Sequence, residues 1–283
     1  MQAGVPTVAG ELADAIARSA RLAEPPAVVC AGRTDAGVHA VGQVAHVDLP
    51  ATYEGDLARA VNRQLSPKIV VRSAAPVERD FDARRSATSR HYRYLVWNAP
   101  VPNPLLAGMA WYVAEPLDLK TMASASDPLL GEHDFRAFCR RAPNRPATEP
   151  IVRRVTRARW RAVPATAVWA GEAGPAQPEG QAGPAPPEGQ AGPAPPAGQA
   201  GPAGQAPPAL LRFDVVAGSF CHQMVRSIVA VLVDAGRGKA TAATVMALLA
   251  AGDRAGSPRP APAHGLCLVG VGYAGEEGGG RAG

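Results

Sequence analysis

A glycine-flanked acidic loop dominates the sequence from Ala27 to His46, AVVCAGRTDAGVHAVGQVAH. A β-branched run ends at Gly32, and a further glycine, Gly37, follows before apolar residues resume at Val38. This pattern predicts a buried strand that runs into a tight loop. Because glycines on both sides let the backbone approach a ligand closely, the loop can present a single carboxylate, that of Asp35.

Two roles are open to Asp35 on spacing alone. A carboxylate held beside a cation, here Arg33 two residues earlier, stays ionised at neutral pH and can act as a nucleophile. Alternatively, Thr34 or Asp35 caps the following segment, because Asx turns and helix N-caps favour these residue types. The spacing does not separate these two interpretations.

Composition limits the class of protein. The chain has 283 residues, enough for one large domain or two halves with a substantial core. Its formal net charge is +5, and residues 170–209 hold three glutamates and no basic residue, so the remainder is more basic still. Nearly all of the positive charge is arginine, whose planar fork suits phosphate. The charge therefore favours an anionic partner, although any basic soluble protein would share it.

The cysteines and the apolar segments bear on compartment. Four cysteines lie far apart without CxxC spacing, at positions 30, 139, 221 and 267. This usage predicts a reduced, cytoplasmic chain without a thiol metal site. The N-terminus has no basic segment followed by an apolar core, and Arg226 and Asp234 interrupt the most apolar later helix. We therefore expect neither a signal peptide nor a membrane span.

Apolar periodicity predicts an α/β (α+β) pattern. Helices are expected at residues 10–24, 56–65 and 117–126 and from Ser219 onward. Strands are expected at residues 27–30, 43–48, 68–72, 90–97, 156–161, 210–216 and 265–271.

An arginine-dense region precedes the predicted strand at 156–161. From Arg136 to Arg161 there are nine arginines against one acid, Glu149. Alternation places Arg157, Arg159 and Arg161 on one strand face. That face is either a solvated sheet surface or a track for a phosphate backbone, and the net charge favours the track.

Residues 170–209 form a nonapeptide repeat of glycine, proline, alanine and glutamine, with units that start at Gly174, Gly183, Gly192 and Gly201. The repeat has no large apolar residue and cannot offset its own ordering entropy. Composition therefore predicts a disordered insert at the tip of a hairpin, followed much later by a mobile tail at 274–283.

The acidic loop carries a resemblance to a known family. Residues 30–46, CAGRTDAGVHAxGQVxH, closely resemble the signature of the tRNA pseudouridine synthase A family. In that family the aspartate of GRTDAGVHA is the catalytic nucleophile, which corresponds to Asp35 here. A match of this length is far more specific than a short glycine pattern, so the resemblance favours the catalytic role over the capping role.

Further motifs extend the resemblance. The first tyrosine of the YRY string, Tyr92, is implied to stack on the target base, whereas Tyr94 is an ordinary core residue. The motif FxxxMVRxIV at 220–229 implies that Arg226 pairs with the catalytic aspartate, although an isolated helical arginine is usually on the surface. Leu266 is implied to lie against the base, and Arg33 fits the role of a residue that extrudes it.

The resemblance implies both a fold and a reaction. The fold is two related mixed-sheet halves, backed by helices around a basic cleft, which would span residues 1–100 and residues 101–169 with 210–273. The reaction is isomerisation of uridine to pseudouridine at positions 38–40 of the tRNA anticodon stem-loop, by a homodimer that needs no metal or cofactor.

The sequence departs from the family pattern in two places. Members have a first strand and a Gly-Trp-Gln stretch before the helix at 10–24, and neither is found here, so the start codon lies upstream of Met1 or the strand is missing. The family often has Phe-His-Ala-Arg where this chain has Phe81-Asp82-Ala83-Arg84. The alternative function is a non-catalytic RNA-binding protein. A carboxylate-based hydrolase would need a second acid that the motifs do not supply.

Overall fold

A seven-stranded mixed sheet is the largest element of the computed structural model, which describes residues 6–50, 53–141, 146, 148–165 and 209–274. The strands are, in chain order, β1 (Val29–Cys30), β2 (His39–Ala40), β3 (Ala45–His46), β4 (Ala87–Asn98), β5 (Trp111–Val113), β6 (Gly131–Asp134), β7 (Val152–Val163), β8 (Ala209–Ala217) and β9 (Leu266–Tyr273). The helices are α1 (Val8–Ala20), α2 (Leu57–Leu65), α3 (Leu119–Ser126), α4 (Met224–Gly236) and α5 (Ala242–Ala251).

Strand β4 lies at the centre of this sheet. The order is β2-β9-β4-β8-β7-β6, with β5 paired to β4 beyond this path. β4 runs antiparallel to both β8 and β9, whereas the β2–β9 and β4–β5 pairs are parallel. β1 and β3 form a separate antiparallel pair. The predicted α/β class is confirmed.

Local capping explains where the helices begin. The hydroxyl of Thr7 accepts a hydrogen bond from the amide of Gly10 at the start of α1. The carboxylates of Asp56 and Asp118 do the same for α2 and α3. Each cap satisfies backbone donors that the first helical turn leaves without partners. The three helices predicted at 10–24, 56–65 and 117–126 are confirmed, with ends shifted by a few residues.

The strand predicted at residues 68–72 is wrong. The amide side chain of Asn62 donates to the carbonyl of Val71 and accepts from its backbone N–H, both at 2.7 Å. A side chain from α2 therefore satisfies the backbone groups that a neighbouring strand would have paired. The strand predicted at 43–48 is also shorter than expected, since only Ala45–His46 forms a ladder.

Two separate hydrophobic clusters stabilise the chain. The larger lies between one face of the sheet and the helices α3, α4 and α5, and nine residues of α4 belong to it. Burial of one such aliphatic side chain contributes about 1.5–3 kcal/mol. The smaller cluster centres on Ala15, Ile16 and Val61, where α1 packs on α2. The helix that carries Arg226 is therefore anchored in the main core.

Alternation divides the central strands into two faces. Tyr92, Tyr94 and Phe213 belong to the larger cluster on the helix side. His91, Arg93 and Asp214 occupy the positions between them and so point to the opposite face. The predicted alternation of β4 is confirmed, and Tyr94 is a core residue with no exposed surface.

The predicted arginine strand is β7, and it forms a hairpin with β8 in which Val163 pairs with Leu210. Trp160 stacks on Phe213 on the helix side, with ring centroids 4.9 Å apart. The predicted insert at 170–209 lies outside the described residues except for Ala209, and so does the predicted tail after Ala274. Within the described part of the chain, no helix is long and apolar enough to cross a membrane.

The prediction of four reduced cysteines is wrong for two of them. Cys139 and Cys221 form a disulfide, with their Cα atoms 5.8 Å apart, whereas Cys30 and Cys267 are free. The two bonded cysteines are 82 residues apart in sequence. No local spacing can indicate such a pair, because only the packing of the β8–α4 segment beside the chain that follows β6 brings them together.

Candidate active site

Hydrogen bonds close the acidic loop into a defined shape. The side chain of Gln43 donates to the carbonyl of Gly32 at 2.8 Å and accepts from its N–H at 3.3 Å. The amide of Val38 donates to the carbonyl of Asp35 at 3.1 Å, which forms a turn. Gly37 has a φ of 82°, a conformation that residues with a Cβ rarely adopt. This loop holds Asp35 at its tip, with 27% of the side chain exposed.

Two basic side chains, one from the turn before α4 and one from its first turn, meet the Asp35 carboxylate. Nη1 of Arg226 donates to Oδ2 at 2.9 Å, and Nε2 of His222 lies 3.2 Å from Oδ1. Nε of Arg226 also donates to the carbonyl of Ala261 at 2.7 Å, which fixes the guanidinium plane. The structure therefore joins Asp35 and Arg226, which are 191 residues apart in sequence.

The segment before α4 is a turn rather than the helix that the sequence predicted from Ser219. The helix begins at Met224, and Gln223 before it has a left-handed backbone with a φ of 66°. Few residues other than glycine adopt this conformation without a compensating contact. Here the side-chain oxygen of Gln223 accepts a hydrogen bond from Arg254 at 2.8 Å. The turn points His222 at Asp35 while Arg226 reaches the same carboxylate from the first turn of the helix.

Tyr92 lies close to this carboxylate but is largely covered. Its side chain is 7% exposed, and its ring meets Phe220 edge to face with centroids 5.1 Å apart. Burial raises the pKa of Tyr92 to about 12, with Asp35 adding to the rise and Arg90 opposing it. The phenol is therefore neutral near pH 7, which disfavours Tyr92 as a base in the free protein.

The other two predicted site residues occupy different surroundings. Arg33 is exposed, and within the described ranges no hydrogen bond or ion pair is found for it, so the cation beside Asp35 is Arg226. Leu266 is buried at the start of β9, opposite Tyr94. A Cβ on the neighbouring Gly265 would approach the Tyr94 ring to 2.5 Å, so only glycine permits this packing.

Sequence reasoning missed Arg90, which organises the loops around the site. This arginine is 9% exposed and donates to four carbonyl groups, those of Ala31, Arg84, Ala87 and Gly218. It thereby ties the acidic loop to the start of β4 and to the end of β8, which lie side by side. One signal was present in the sequence, because alternation puts Arg90 on the same strand face as Tyr92, where an apolar residue is expected.

The three arginines of the predicted track, Arg157, Arg159 and Arg161, lie on the far side of the sheet from Asp35. Nη2 of Arg161 is 3.4 Å from Oδ2 of Asp214, on the face opposite to the helices. Arg157 and Arg159 share that face by alternation. The expected phosphate track therefore does not continue into the surroundings of Asp35 along the same sheet face.

No group of three or more histidine, cysteine or acidic residues in the described ranges is arranged to hold a metal ion. The chemistry available at the site is that of one carboxylate, a fixed guanidinium, an imidazole and an adjacent aromatic wall.

Comparison with known proteins agrees with this arrangement. A family model described as tRNA pseudouridine synthase matches residues 125–274, just over half of the chain. The chain belongs to this family. The matched range contains Arg226 and Leu266, but it begins after Asp35 and Tyr92.

Longer matches within the tRNA pseudouridine synthase family cover the acidic loop as well. A tRNA pseudouridine synthase A from Frankia casuarinae is 38% identical over 278 residues, which span 96% of this chain and 82% of the relative. The protein of the same name from Methylobacterium radiotolerans is 36% identical over 277 residues, with 96% and 90% covered. That from Shouchella clausii is 34% identical over 274 residues, with 96% and 87% covered.

Proposed function

We propose that this chain is a tRNA pseudouridine synthase that isomerises uridine to pseudouridine, at positions 38–40 of the anticodon stem-loop. The observation that carries the proposal is the Asp35 carboxylate, held on a closed glycine loop and paired with Arg226 from a helix 191 residues away. The guanidinium of Arg226 lies 2.9 Å from this partly exposed carboxylate and holds it in one orientation. A carboxylate placed in this way can act as a nucleophile at the ribose.

The reaction is an isomerisation and needs no redox step. The bond between C1′ and N1 of uridine breaks, the uracil turns, and a bond forms between C5 and C1′. A proton leaves C5 and N1 gains one, so atoms and electrons balance. Asp35 can attack the sugar, attack the base, or help to form a glycal-like intermediate, and each route uses the same carboxylate.

The neighbouring residues fit the handling of an extruded base. Tyr92 and Leu266 line the helix side of the sheet next to Asp35, where an apolar wall would receive the uracil. Base–aromatic stacking contributes about 1–3 kcal/mol. Arg33, exposed two residues before Asp35, would enter the stem in place of the extruded nucleotide.

We extend the proposal to organisation and assembly. The family resemblance supports the division into an N-terminal half, residues 1–100, and a C-terminal half, residues 101–169 with 210–273. Strand β4 of the first half pairs with β8 and β9 of the second half and packs in the larger cluster, so the two halves would share one core. The resemblance to the family supports a homodimer that works in the cytoplasm on tRNA. Light scattering of the purified chain measures the assembly directly.

The decisive experiment incubates the purified chain with unmodified tRNA and maps pseudouridine chemically along the RNA. The expected result is modification at positions 38–40, with no product from the matched Asp35→Asn variant. If both forms bind tRNA and neither makes pseudouridine, the chain is the non-catalytic RNA-binding protein instead. Product at other uridines only would overturn the anticodon assignment.

A further inference from the structure

The two partners of Asp35 differ in how firmly they are held. Arg226 is 16% exposed and is fixed from a second side by the carbonyl of Ala261. The side chain of His222 is 47% exposed, and in the described structure its ring has no partner other than Asp35. The guanidinium of Arg226 is therefore held against Oδ2, whereas the imidazole of His222 can leave Oδ1 when the His222 side chain rotates.

The backbone of His222, in contrast, is tethered on both sides. Its carbonyl accepts a hydrogen bond from the amide of Arg140 at 2.9 Å. The preceding residue, Cys221, is bonded to Cys139, and the following residue, Gln223, is held by Arg254. Any movement of the imidazole away from Asp35 is therefore a side-chain motion, which costs little and is fast.

A carboxylate with a side chain against each oxygen is a weaker nucleophile than one with a free oxygen. Arg226 is held by Asp35 and by Ala261 together, whereas His222 has only its contact with Oδ1 in the described structure, so Oδ1 is the oxygen that is more easily freed. We propose that His222 is a positioning residue, which covers Oδ1 of Asp35 in the free enzyme and swings away to expose that oxygen to the bound uridine. This inference rests on the proposed function.

The strength of the contact between His222 and Oδ1 depends on the charge of the imidazole. A protonated imidazole attracts the carboxylate as an ion pair, whereas a neutral one offers at most a single hydrogen bond, and histidine is the side chain that changes charge between pH 5 and 8. The charged and titratable groups on the surrounding elements are Asp35 on the acidic loop, Arg226 on α4, Tyr92 on β4, and Arg140 and Arg254 beside the turn. Tyr92 is neutral in this range. We therefore expect the charge of His222 to control the strength of its contact with Oδ1.

The test uses single-turnover pseudouridine formation at saturating tRNA from pH 5.5 to 8, with the rate of each variant divided by the wild-type rate at the same pH. His222→Gln keeps a polar side chain without the charge. It is expected to be faster than wild type at pH 5.5 by about two- to five-fold, the range for a half-exposed ion pair, and equal to it at pH 8. His222→Lys keeps a charge throughout and is expected to be slower than wild type at pH 8 by a similar factor.

The matched control is His133→Gln, because His133 lies on β6, contacts the carbonyl of Leu130 and makes no described contact with Asp35, so the ratio should stay at one across the range. A His222→Gln ratio that stays at one would overturn the inference, and so would an equal loss of rate at every pH, which would make His222 a substrate contact. Equal melting temperatures show that the variants are folded. If wild type makes no pseudouridine, the proposed function itself fails, which is a separate outcome.

Discussion

Asp35 and Asp214 are two aspartates with arginine and histidine partners, and they lie on opposite sides of the same sheet. The side chain of Asp35 is 27% exposed and that of Asp214 is 5% exposed. Asp35 stands on a loop and meets Arg226 from α4 and His222 from the turn before that helix. Asp214 stands in the middle of β8, where three strands deliver cations to it.

The carboxylate of Asp214 is buried and fully paired, so it serves structure and not reaction. Oδ2 of Asp214 accepts from Nε of Arg212 at 2.6 Å, and Oδ1 accepts from Arg93 at 3.3 Å and lies 2.9 Å from Nε2 of His91. Arg161 adds a fourth contact from β7. Burial alone would raise the pKa of Asp214, but the hydrogen bond from His91 and the charges of Arg93, His91 and Arg161 outweigh it, and the pKa is lowered. Both oxygens are occupied, so no substrate atom can reach them.

The residue types around an aspartate therefore do not identify it as a reactive carboxylate. Both sites contain an aspartate, arginine and histidine, and they differ in access and in the mobility of one partner. Asp214 is expected to matter for stability and Asp35 for turnover. The same conservative change at each position tests this contrast.

The largest effect is expected for Asp35→Asn. If Asp35 is the reacting group, pseudouridine formation should fall by roughly 10⁴-fold or more, as it does when other enzymes lose a nucleophile. Binding of tRNA should stay within a few fold, because phosphate contacts elsewhere supply most of the affinity. The free energy of unfolding should change by no more than about 1 kcal/mol, since the ion pair is partly exposed. Single-turnover assays, filter binding and urea denaturation measure the three quantities, and substantial turnover by the variant would remove Asp35 from the mechanism.

Asp214→Asn should lower the stability of the protein and leave its turnover unchanged. It leaves the guanidinium groups of Arg212, Arg93 and Arg161 close together without a carboxylate, and breaking a buried pair from one side costs about 3–5 kcal/mol. The urea midpoint should drop accordingly, while turnover per folded molecule stays near that of wild type. An unchanged midpoint would show that the cluster contributes nothing to stability and would end the contrast with Asp35.

The third effect concerns Arg226, the residue that pairs with Asp35. Arg226→Met leaves the carboxylate without its fixed cation and should slow catalysis by about 10²-fold, toward the lower end for a buried pair because Asp35 is partly exposed. Arg226→Lys keeps the charge but loses the planar fork that reaches both Asp35 and Ala261, so its loss should be smaller though still clear. Single-turnover rates at saturating tRNA compare the two variants. A Met variant with the wild-type rate would show that the ion pair has no catalytic part.

Acid should narrow the stability gap between wild type and Asp214→Asn. The pKa of Asp214 is lower in the folded chain than in the unfolded one, so the unfolded chain binds the proton first. The stability that the carboxylate contributes is present above its unfolded pKa, about 4, and is lost as pH falls through the lower folded value. Urea midpoints of the two proteins should therefore converge below about pH 4. A gap that stays constant down to pH 3 would contradict an ionised Asp214 in the fold.

The smallest effect is expected from deletion of residues 174–206. These residues lie in sequence between β7 and β8, the strands that carry Arg161 and Asp214. The deletion therefore tests whether the stability of the Asp214 cluster depends on the repeat. Because the repeat has no large apolar residue, the free energy of unfolding should stay within about 0.5 kcal/mol and turnover should be unchanged. A large drop in melting temperature would show that the repeat packs on the rest of the protein.

Much of the acidic loop and of the helices followed from the sequence. The glycines around Asp35, the helices at 10–24, 56–65 and 117–126, and the alternation of β4 are local patterns, and each depends on residues a few positions apart. Local backbone geometry and periodicity are enough to read them. The strand predicted at residues 68–72 failed because Asn62, a residue of another element, took over its backbone hydrogen bonds.

Local patterns in the sequence were enough to predict that Asp35 is presented on a tight loop, that Arg226 belongs to a family motif, and that residues 170–209 cannot form a core. Long-range packing set the contact of His222 with Oδ1 of Asp35, the pairing of Cys139 with Cys221, and the position of Arg161 beside Asp214 instead of Asp35. Those contacts join residues that are tens to nearly two hundred positions apart. Their distances are set by the order of strands in the sheet and by the packing of α4 on it, which no local pattern encodes.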